Sequence, residues 1–286
     1  MKIDTFHEID LNCSFLTPER LDSNSKTLIS YVSSQVGEIN NFWSAIKELQ
    51  SSDTLLTRKK DTTEIIFYNH DLSHLTSAML NLMALKPEEG IPREIEYSTD
   101  EQISINTKIK DALNLLEEVF PNIFPHFNNL IPFIIVGRLN GFFGGSVSNR
   151  IGFIWLSPIE EWNYTDIAEQ LFHEFIHNAL FLEEMVNTVM PFTAVRMEEE
   201  DGLITSSIRQ VKRGYDKSYH AAFVAYGLIC FYVKIGQNKK ALTFLNPLLI
   251  SLDELIRNQN FLSERGIFLL DELCENVLEK KDMFDI

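Results

Sequence analysis

The most constraining feature of the sequence is an apolar stretch that contains two histidines four residues apart. It reads AEQLFHEFIHNALFLEEMV at 168–186, and His173, Glu174 and His177 form an HExxH motif within it. Its apolar residues recur at three-and-four spacing, which predicts a buried α-helix. Residues four apart lie one above the other on a helix, so the two imidazoles point the same way and suit one metal ion at about 2.0–2.1 Å. The sequence therefore predicts a metal site on this helix.

The glutamate of the motif has a different expected role. Glu174 follows the first histidine and is displaced by about 100° around the helix, where its carboxylate reaches a metal-bound water rather than the metal. A chance occurrence of the pattern is the competing interpretation, but the position of the motif after a strand–loop–strand segment argues against it. A second pair, His70 and His74, lacks the glutamate and is interpreted as two histidines on a helix surface.

The segment before the metal helix has the pattern of a small sheet. LIPFIIVG at 130–137 and IGFIWLS at 151–157 are short, apolar and rich in β-branched residues, which predicts two buried strands. RLNGFFGGSVSNR between them is a glycine-rich loop, and Asn163 or Thr165 is the expected N-cap of the metal helix.

The rest of the chain reads mostly as helices. Residues 1–130 form a predicted helical N-terminal region, with a proline- and glycine-containing turn at 86–95. Residues 131–286 form a predicted metal-site region, in which a charged, irregular segment at 188–216 precedes three helices. Those helices are expected at 217–235, 238–258 and 261–280. The predicted fold class is α+β, dominated by helices, with both regions in one compact unit.

Charge and hydropathy limit the classes of partner. The net charge of −16 argues against binding to a nucleic-acid backbone, because no basic stretch offsets that field. The longest apolar run, at 221–232, is too short to span a bilayer, and the N-terminus lacks the pattern of a signal peptide. Three cysteines far apart, without a CxxC pair, suggest neither a disulfide framework nor a thiolate site. The sequence predicts a cytoplasmic protein with no membrane or nucleic-acid partner.

A third metal ligand must come from outside the HExxH motif. In metalloproteases with the longer motif HExxHxxGxxH, the chain turns at the glycine and brings back a third histidine. Here Leu180 and Glu183 hold those two positions, so we expect the helix to continue and to carry Glu183 away. Thermolysin-like enzymes use a glutamate some twenty residues further on. The candidates at that spacing are Glu198, Glu199 and Glu200, in a stretch that favours a solvated acidic turn.

The stronger candidate for the third ligand is His220, which lies 43 residues beyond His177 in the first turn of a predicted apolar helix. A buried helix start is well suited to present a side chain into a cleft, although a capping histidine is the alternative. Arg213 precedes it by seven residues and is placed to bind a carboxylate bidentately, unless it is simply a surface arginine.

From about residue 130 to 235 the sequence resembles the HExxH-type peptide modification proteins encoded near ribosomally made peptide precursors. This group includes the 2-oxoglutarate-dependent HExxH peptide β-hydroxylases. The matching features are the small-residue loop, GFIWLS, LFHEFIHNALFLEE and the Arg213-to-His220 element. The proline and both glycines of the family's version of that last element are absent here. The small residues of the matching loop are Gly144, Gly145, Ser146 and Ser148.

The resemblance implies a zincin-like metal helix and an Fe(II) centre that uses 2-oxoglutarate to hydroxylate a precursor peptide. In that scheme Glu174 orients ligands or water near the metal. Arg213 pairs with the distal carboxylate of 2-oxoglutarate, with Arg196 as second choice. The implied metal ligands are His173, His177 and His220.

Two other functions stay open at the level of sequence. The first is a zinc metallopeptidase, in which Glu174 activates a zinc-bound water for attack on a peptide bond. The second is a non-enzymatic peptide-binding protein, against which the intact Glu174 argues, because a structural metal site has no need of it.

Overall fold

The computed structural model describes residues 11, 13–50, 58, 62–68, 96–138 and 143–283 of the chain. The His70–His74 pair and the predicted turn at 86–95 lie outside these residues. The chain divides into two compact units, Asp22–Leu182 and Met1–Leu21 with Glu183–Ile286. We call the first the sheet unit and the second the helical unit. The boundaries between these units follow Leu21 and Leu182, whereas the predicted boundary lies between residues 130 and 131.

The predicted α+β class is confirmed, with helices as the main component. The helices are α1 Pro18–Val36, α2 Phe42–Leu49, α3 Thr99–Val119, α4 Phe124–Leu130, α5 Tyr164–Val186, α6 Ala194–Met197, α7 Tyr215–Lys234, α8 Asn238–Arg257 and α9 Glu264–Met283. The strands are β1 Glu64–Phe67, β2 Phe133–Val136, β3 Gly144–Gly145, β4 Phe153–Leu156, β5 Ile204–Thr205 and β6 Lys212–Arg213. Short 3-10 turns occupy Ser14–Leu16, Ser148–Arg150, Glu200–Gly202 and Gln259–Phe261.

The sheet unit contains a four-stranded sheet with the order β1-β2-β4-β3. The strands β1, β2 and β4 are parallel, and β3 is an antiparallel edge strand on β4. The two predicted strands became β2 and β4, and every residue of both is buried, as expected for parallel strands covered on two faces. β1 falls in a region predicted to be mostly helical, and its four residues are only partly buried.

Aromatic side chains fill the core on one face of this sheet. The Trp43 ring of α2 meets the rings of Phe133 and Phe153 at centroid distances of 5.3 and 5.5 Å. Gly152, directly before β4, has φ +96°, and a Cβ there would lie 2.8 Å from the Trp43 ring. Glycine is therefore required at this position both for its backbone conformation and for space.

The helical unit is built around α7, in which a run from Ser218 to Val233 is entirely buried. Tyrosine hydroxyls join α7 to its neighbours, because Tyr215 donates to the carbonyl of Leu255 and Tyr219 donates to that of Gly266, both at 2.9 Å. A helix that is apolar on all sides needs such partners for its few polar groups. No helix among the described residues is long and apolar enough to cross a membrane.

Candidate metal centre

Helix α5 carries the HExxH motif and begins where the sequence predicts. The Asn163 side chain accepts hydrogen bonds from the backbone N–H groups of Thr165 and Asp166, at 2.7 and 3.2 Å, which caps the helix. The helix continues through the fully buried Leu180 to Val186, as expected from the missing glycine. We refer to α5 as the metal helix.

His173 and His177 lie one turn apart on the metal helix and face each other across a short gap. Their ring centroids are 5.0 Å apart, and the rings are inclined at 51°. Both side chains are partly exposed, with 17% of the His173 side chain accessible. Two imidazoles on one turn suit a chelate of Fe(II) or Zn(II), since both metals favour nitrogen ligands.

Glu174 is almost fully buried beside this pair, with 4% of the residue exposed. Its Oε1 lies 3.8 Å from Nε2 of His173, and its Oε2 accepts a 2.6 Å hydrogen bond from the hydroxyl of Ser146. Hydrogen bonds to an ionised carboxylate are short and strong, so this contact fixes the orientation of the carboxylate. A carboxylate oriented beside an imidazole is able to accept a proton from a nearby water.

Asn178 fixes the metal helix against the sheet. Its side-chain N–H donates to the carbonyl of Glu174 at 2.8 Å, and its Oδ1 accepts from the N–H of Gly152 at 3.1 Å. The side chain is completely buried. The sequence reasoning assigned no role to Asn178, and it named Ser146 only as a small loop residue. The signal in the sequence that could have identified Asn178 is an amide at a buried position of a largely apolar helix, because a buried amide needs hydrogen-bond partners.

The edge strand β3 runs beside the metal helix. A Cβ placed on Gly144 would come within 3.8 Å of Oε1 of Gln170, which lies one turn before His173. β3 has β4 on one side, and no further described strand pairs with its other side. Ser146 directly follows this strand, so the edge and Glu174 are linked through one hydrogen bond.

His220, the predicted third ligand, belongs to the helical unit. It lies in the second turn of α7 rather than the first, and 5% of the residue is exposed. Its Nε2 is 2.9 Å from Oε1 of Glu184. This contact lies within the helical unit, and the role of His220 as the third ligand stays a prediction.

The acidic residues considered as alternative third ligands form ion pairs or are exposed to solvent. Glu183 is fully buried in the helical unit, and both Arg20, at 2.8 Å, and Arg265, at 2.7 Å, form ion pairs with it. Glu198 pairs with Lys217 and Glu199 with Arg196. The triplet Glu198, Glu199 and Glu200 is exposed, as expected for a solvated acidic turn.

The two candidate arginines differ in their surroundings. Arg196 makes two hydrogen bonds of 2.6 Å to the carboxylate of Asp201, which raise its pKa, so its guanidinium already holds a carboxylate. Arg213 is partly buried on β6, and its side chain makes no hydrogen bond or ion pair with another described residue. Burial and the nearby Arg209 lower the pKa of Arg213, while Asp216 and Glu198 act in the opposite direction.

Within the described ranges, no group of three or more His, Cys, Asp or Glu side chains is close enough together to hold a metal ion. Of the predicted ligands, the structure brings together His173 and His177, one turn apart on the same helix. In comparisons with known proteins, neither a family model nor a curated protein sequence matches the chain.

Proposed function

We propose that the chain is a metal-dependent enzyme that acts on a peptide, with His173 and His177 as metal ligands. The observation that carries the proposal is the buried Glu174 carboxylate, oriented by Ser146 at 3.8 Å from the first of the two imidazoles. A structural site has no need of an oriented carboxylate, whereas a site that moves protons does.

The reaction we favour is hydroxylation of a ribosomally made precursor peptide with Fe(II) and 2-oxoglutarate. Its balance is peptide C–H, O₂ and 2-oxoglutarate giving peptide C–OH, succinate and CO₂. Iron, when bound, would activate O₂, which is the oxidant of both the C–H bond and 2-oxoglutarate. Arg213 supports this reaction, because a partly buried guanidinium without a carboxylate partner among the described residues suits an anionic cosubstrate.

The substrate class follows from β3. An edge strand offers backbone N–H and C=O groups to an extended peptide, which adds as a further strand. Gly144 and Gly145 carry no side chains to obstruct a neighbouring backbone, and the strand leads directly into the Ser146 contact with Glu174. The peptide is thus held in an extended form beside the metal helix. The cytoplasm, which supplies reduced iron and 2-oxoglutarate, is the proposed compartment.

A second candidate function is a zinc metallopeptidase, and the position of Glu174 favours it. In that reaction Glu174 would act as the general base for the water that attacks the peptide carbonyl, and zinc held by His173 and His177 would supply Lewis-acid activation. The same two histidines and the same edge strand serve this chemistry, but it has no use for an arginine that binds a carboxylate cosubstrate.

Anaerobic reconstitution with Fe(II), followed by titration of 2-oxoglutarate, tests the proposal and separates the two functions. A saturable visible charge-transfer band is expected, because direct chelation of iron by the cosubstrate produces one. His173→Ala and His177→Ala should abolish the band and metal binding together. Full metal occupancy in either variant would rule out the site. The absence of a band alongside stoichiometric zinc binding would instead support the peptidase.

A further inference from the structure

The metal helix and the edge strand β3 run side by side within the sheet unit. A Cβ placed on Gly144 would lie 3.8 Å from Oε1 of Gln170. Two residues further along the strand direction, the hydroxyl of Ser146 donates to Oε2 of Glu174. Two residues of a strand rise by about 6.7 Å and four residues of a helix by about 6 Å, so both contacts fit one alignment of the two elements. Gln170 therefore belongs to the row of side chains that follows the strand.

Gln170 differs from Glu174 in having no hydrogen-bond partner among the described residues. The residue is partly buried. Positions 170, 174 and 177 of a helix lie within about 60° of one another around its axis, so Gln170 shares a face with Glu174 and His177. A glutamine amide offers two N–H donors and a carbonyl acceptor. A partly buried amide with these groups open, one turn from the candidate reaction site, is suited to bind part of a substrate.

The backbone of Gly144 faces the open side of β3. The N–H of Ser157 donates to the carbonyl of Phe143 at 2.8 Å, and Gly144 lies opposite Leu156 in the antiparallel register. Successive residues of an antiparallel strand direct their backbone groups alternately to one side and to the other. Because Phe143 is bonded to the β4 side, the N–H and C=O of Gly144 point to the opposite side, where the described part of the chain places no strand. A peptide added to this edge has one residue directly opposite Gly144.

We propose that Gln170 is a specificity-determining residue that selects the peptide side chain opposite Gly144. Directly opposite residues of neighbouring strands place their side chains on the same face of a sheet. The missing side chain of Gly144 leaves space on that face, bounded by Cδ1 of Leu156 and by the amide of Gln170, each 3.8 Å from the Cβ position. The side chain that fits is uncharged and both donates and accepts hydrogen bonds, as in Asn, Gln, Ser and Thr. An apolar side chain would remove water from the amide without replacing its hydrogen bonds, and a charged one would itself lose water.

This inference rests on the proposed function, because it needs a peptide strand on β3. It goes further by naming the class of side chain that the site selects and the residue that selects it. Gly144 and Ser146 are two positions apart, so the selected side chain lies two positions from the peptide residue that faces Glu174.

Selection from random heptapeptides displayed on phage tests the inference with the metal-free protein, so the test is independent of any activity. The native protein is expected to enrich peptides with Asn, Gln, Ser or Thr at one position. Gln170→Leu keeps a side chain of similar size and removes the amide. It is expected to bind the natively enriched peptides about 10-fold more weakly, the effect of losing one hydrogen bond, and to enrich apolar residues at the same position.

Gln35→Leu is the matched control. It makes the same change on the exposed surface of α1, where the amide of Gln35 donates to the hydroxyl of Ser34. This variant should enrich the same peptides as the native protein. Melting temperatures would confirm that both variants are folded.

Hydrogen exchange measured by NMR locates the bound peptide on the native protein. The N–H of Gly144 is expected to bond to the peptide backbone. An enriched peptide at about 100 times its Kd should therefore slow the exchange of this N–H by about 100-fold, because exchange then proceeds only from the unbound fraction.

These measurements separate the inference from the proposed function. The native preference in Gln170→Leu would overturn the role of Gln170 and leave a peptide as the proposed substrate. Enriched peptides that do not slow the exchange of the Gly144 N–H bind elsewhere, and they too would overturn the inference. If the native protein enriches no peptide, the inference and the peptide substrate of the proposed function fail together.

Discussion

The hydroxyl of Ser146 donates a 2.6 Å hydrogen bond to Oε2 of Glu174, and so links the end of the edge strand to the carboxylate of the metal helix. The two residues are 28 positions apart in the chain. This bond determines where the carboxylate points relative to the imidazole of His173. A peptide strand bound along β3, as we propose, would therefore be able to influence the orientation of Glu174 through Ser146.

Ser146→Ala is expected to lower kcat while metal affinity stays native. Misplacing a catalytic group by about 1 Å can cost up to about 100-fold in rate, which sets the scale of the loss. Ser146→Thr keeps a hydroxyl and should restore most of the activity. Ser148→Ala, an exposed serine of the same loop, is the control. Native turnover in Ser146→Ala would show that the hydrogen bond has no role in the reaction.

Asn178→Ala is expected to reduce the free energy of unfolding by about 1–3 kcal/mol. The change removes the partner of the Gly152 N–H inside the core, and a buried polar group left without a partner costs about this much. Urea denaturation followed by circular dichroism measures the difference. Asn149→Ala, at an exposed position of the same unit, should unfold like the native protein. Equal stability of the two variants would contradict the role of Asn178 in fixing the metal helix against the sheet.

Glu183→Ala is expected to destabilise the protein by about 3–5 kcal/mol without changing metal affinity. Its carboxylate is completely buried between Arg20 and Arg265, so truncation leaves two partly buried guanidinium groups without their counter-charge. Thermal unfolding and chelator competition on the same samples measure the two effects. Glu200→Ala, at an exposed turn, serves as control. A stable variant with weakened metal binding would make Glu183 a ligand after all.

Arg213→Ala should weaken the binding of 2-oxoglutarate to the Fe(II) protein far more than it weakens the binding of iron. The reason is that Arg213 carries a guanidinium with no carboxylate partner among the described residues, whereas Arg196 is already paired with Asp201. Arg196→Ala is therefore the matched control, and its cosubstrate affinity should remain native. Titration of the charge-transfer band measures both. Equal affinities in the two variants would remove Arg213 from the site.

The sequence by itself determined the local elements of this protein. The apolar periodicity and the Asn163 cap predicted the metal helix, and the two apolar runs predicted β2 and β4, because such signals act over a few neighbouring residues. The placement of His173 and His177 on one face of this helix likewise followed from the helical repeat alone.

Only the tertiary structure decided which side chains meet. Ser146 with Glu174 and Gly152 with Asn178 are contacts between distant segments, and no local pattern specifies them. β1 was missed for the same reason, since a four-residue strand is defined by pairing with β2, in which Glu64 lies opposite Phe133. Hydrogen-bond partners of buried polar groups are selected only when the whole chain packs. The sequence therefore predicted the helix, but not the residues that surround the carboxylate of Glu174.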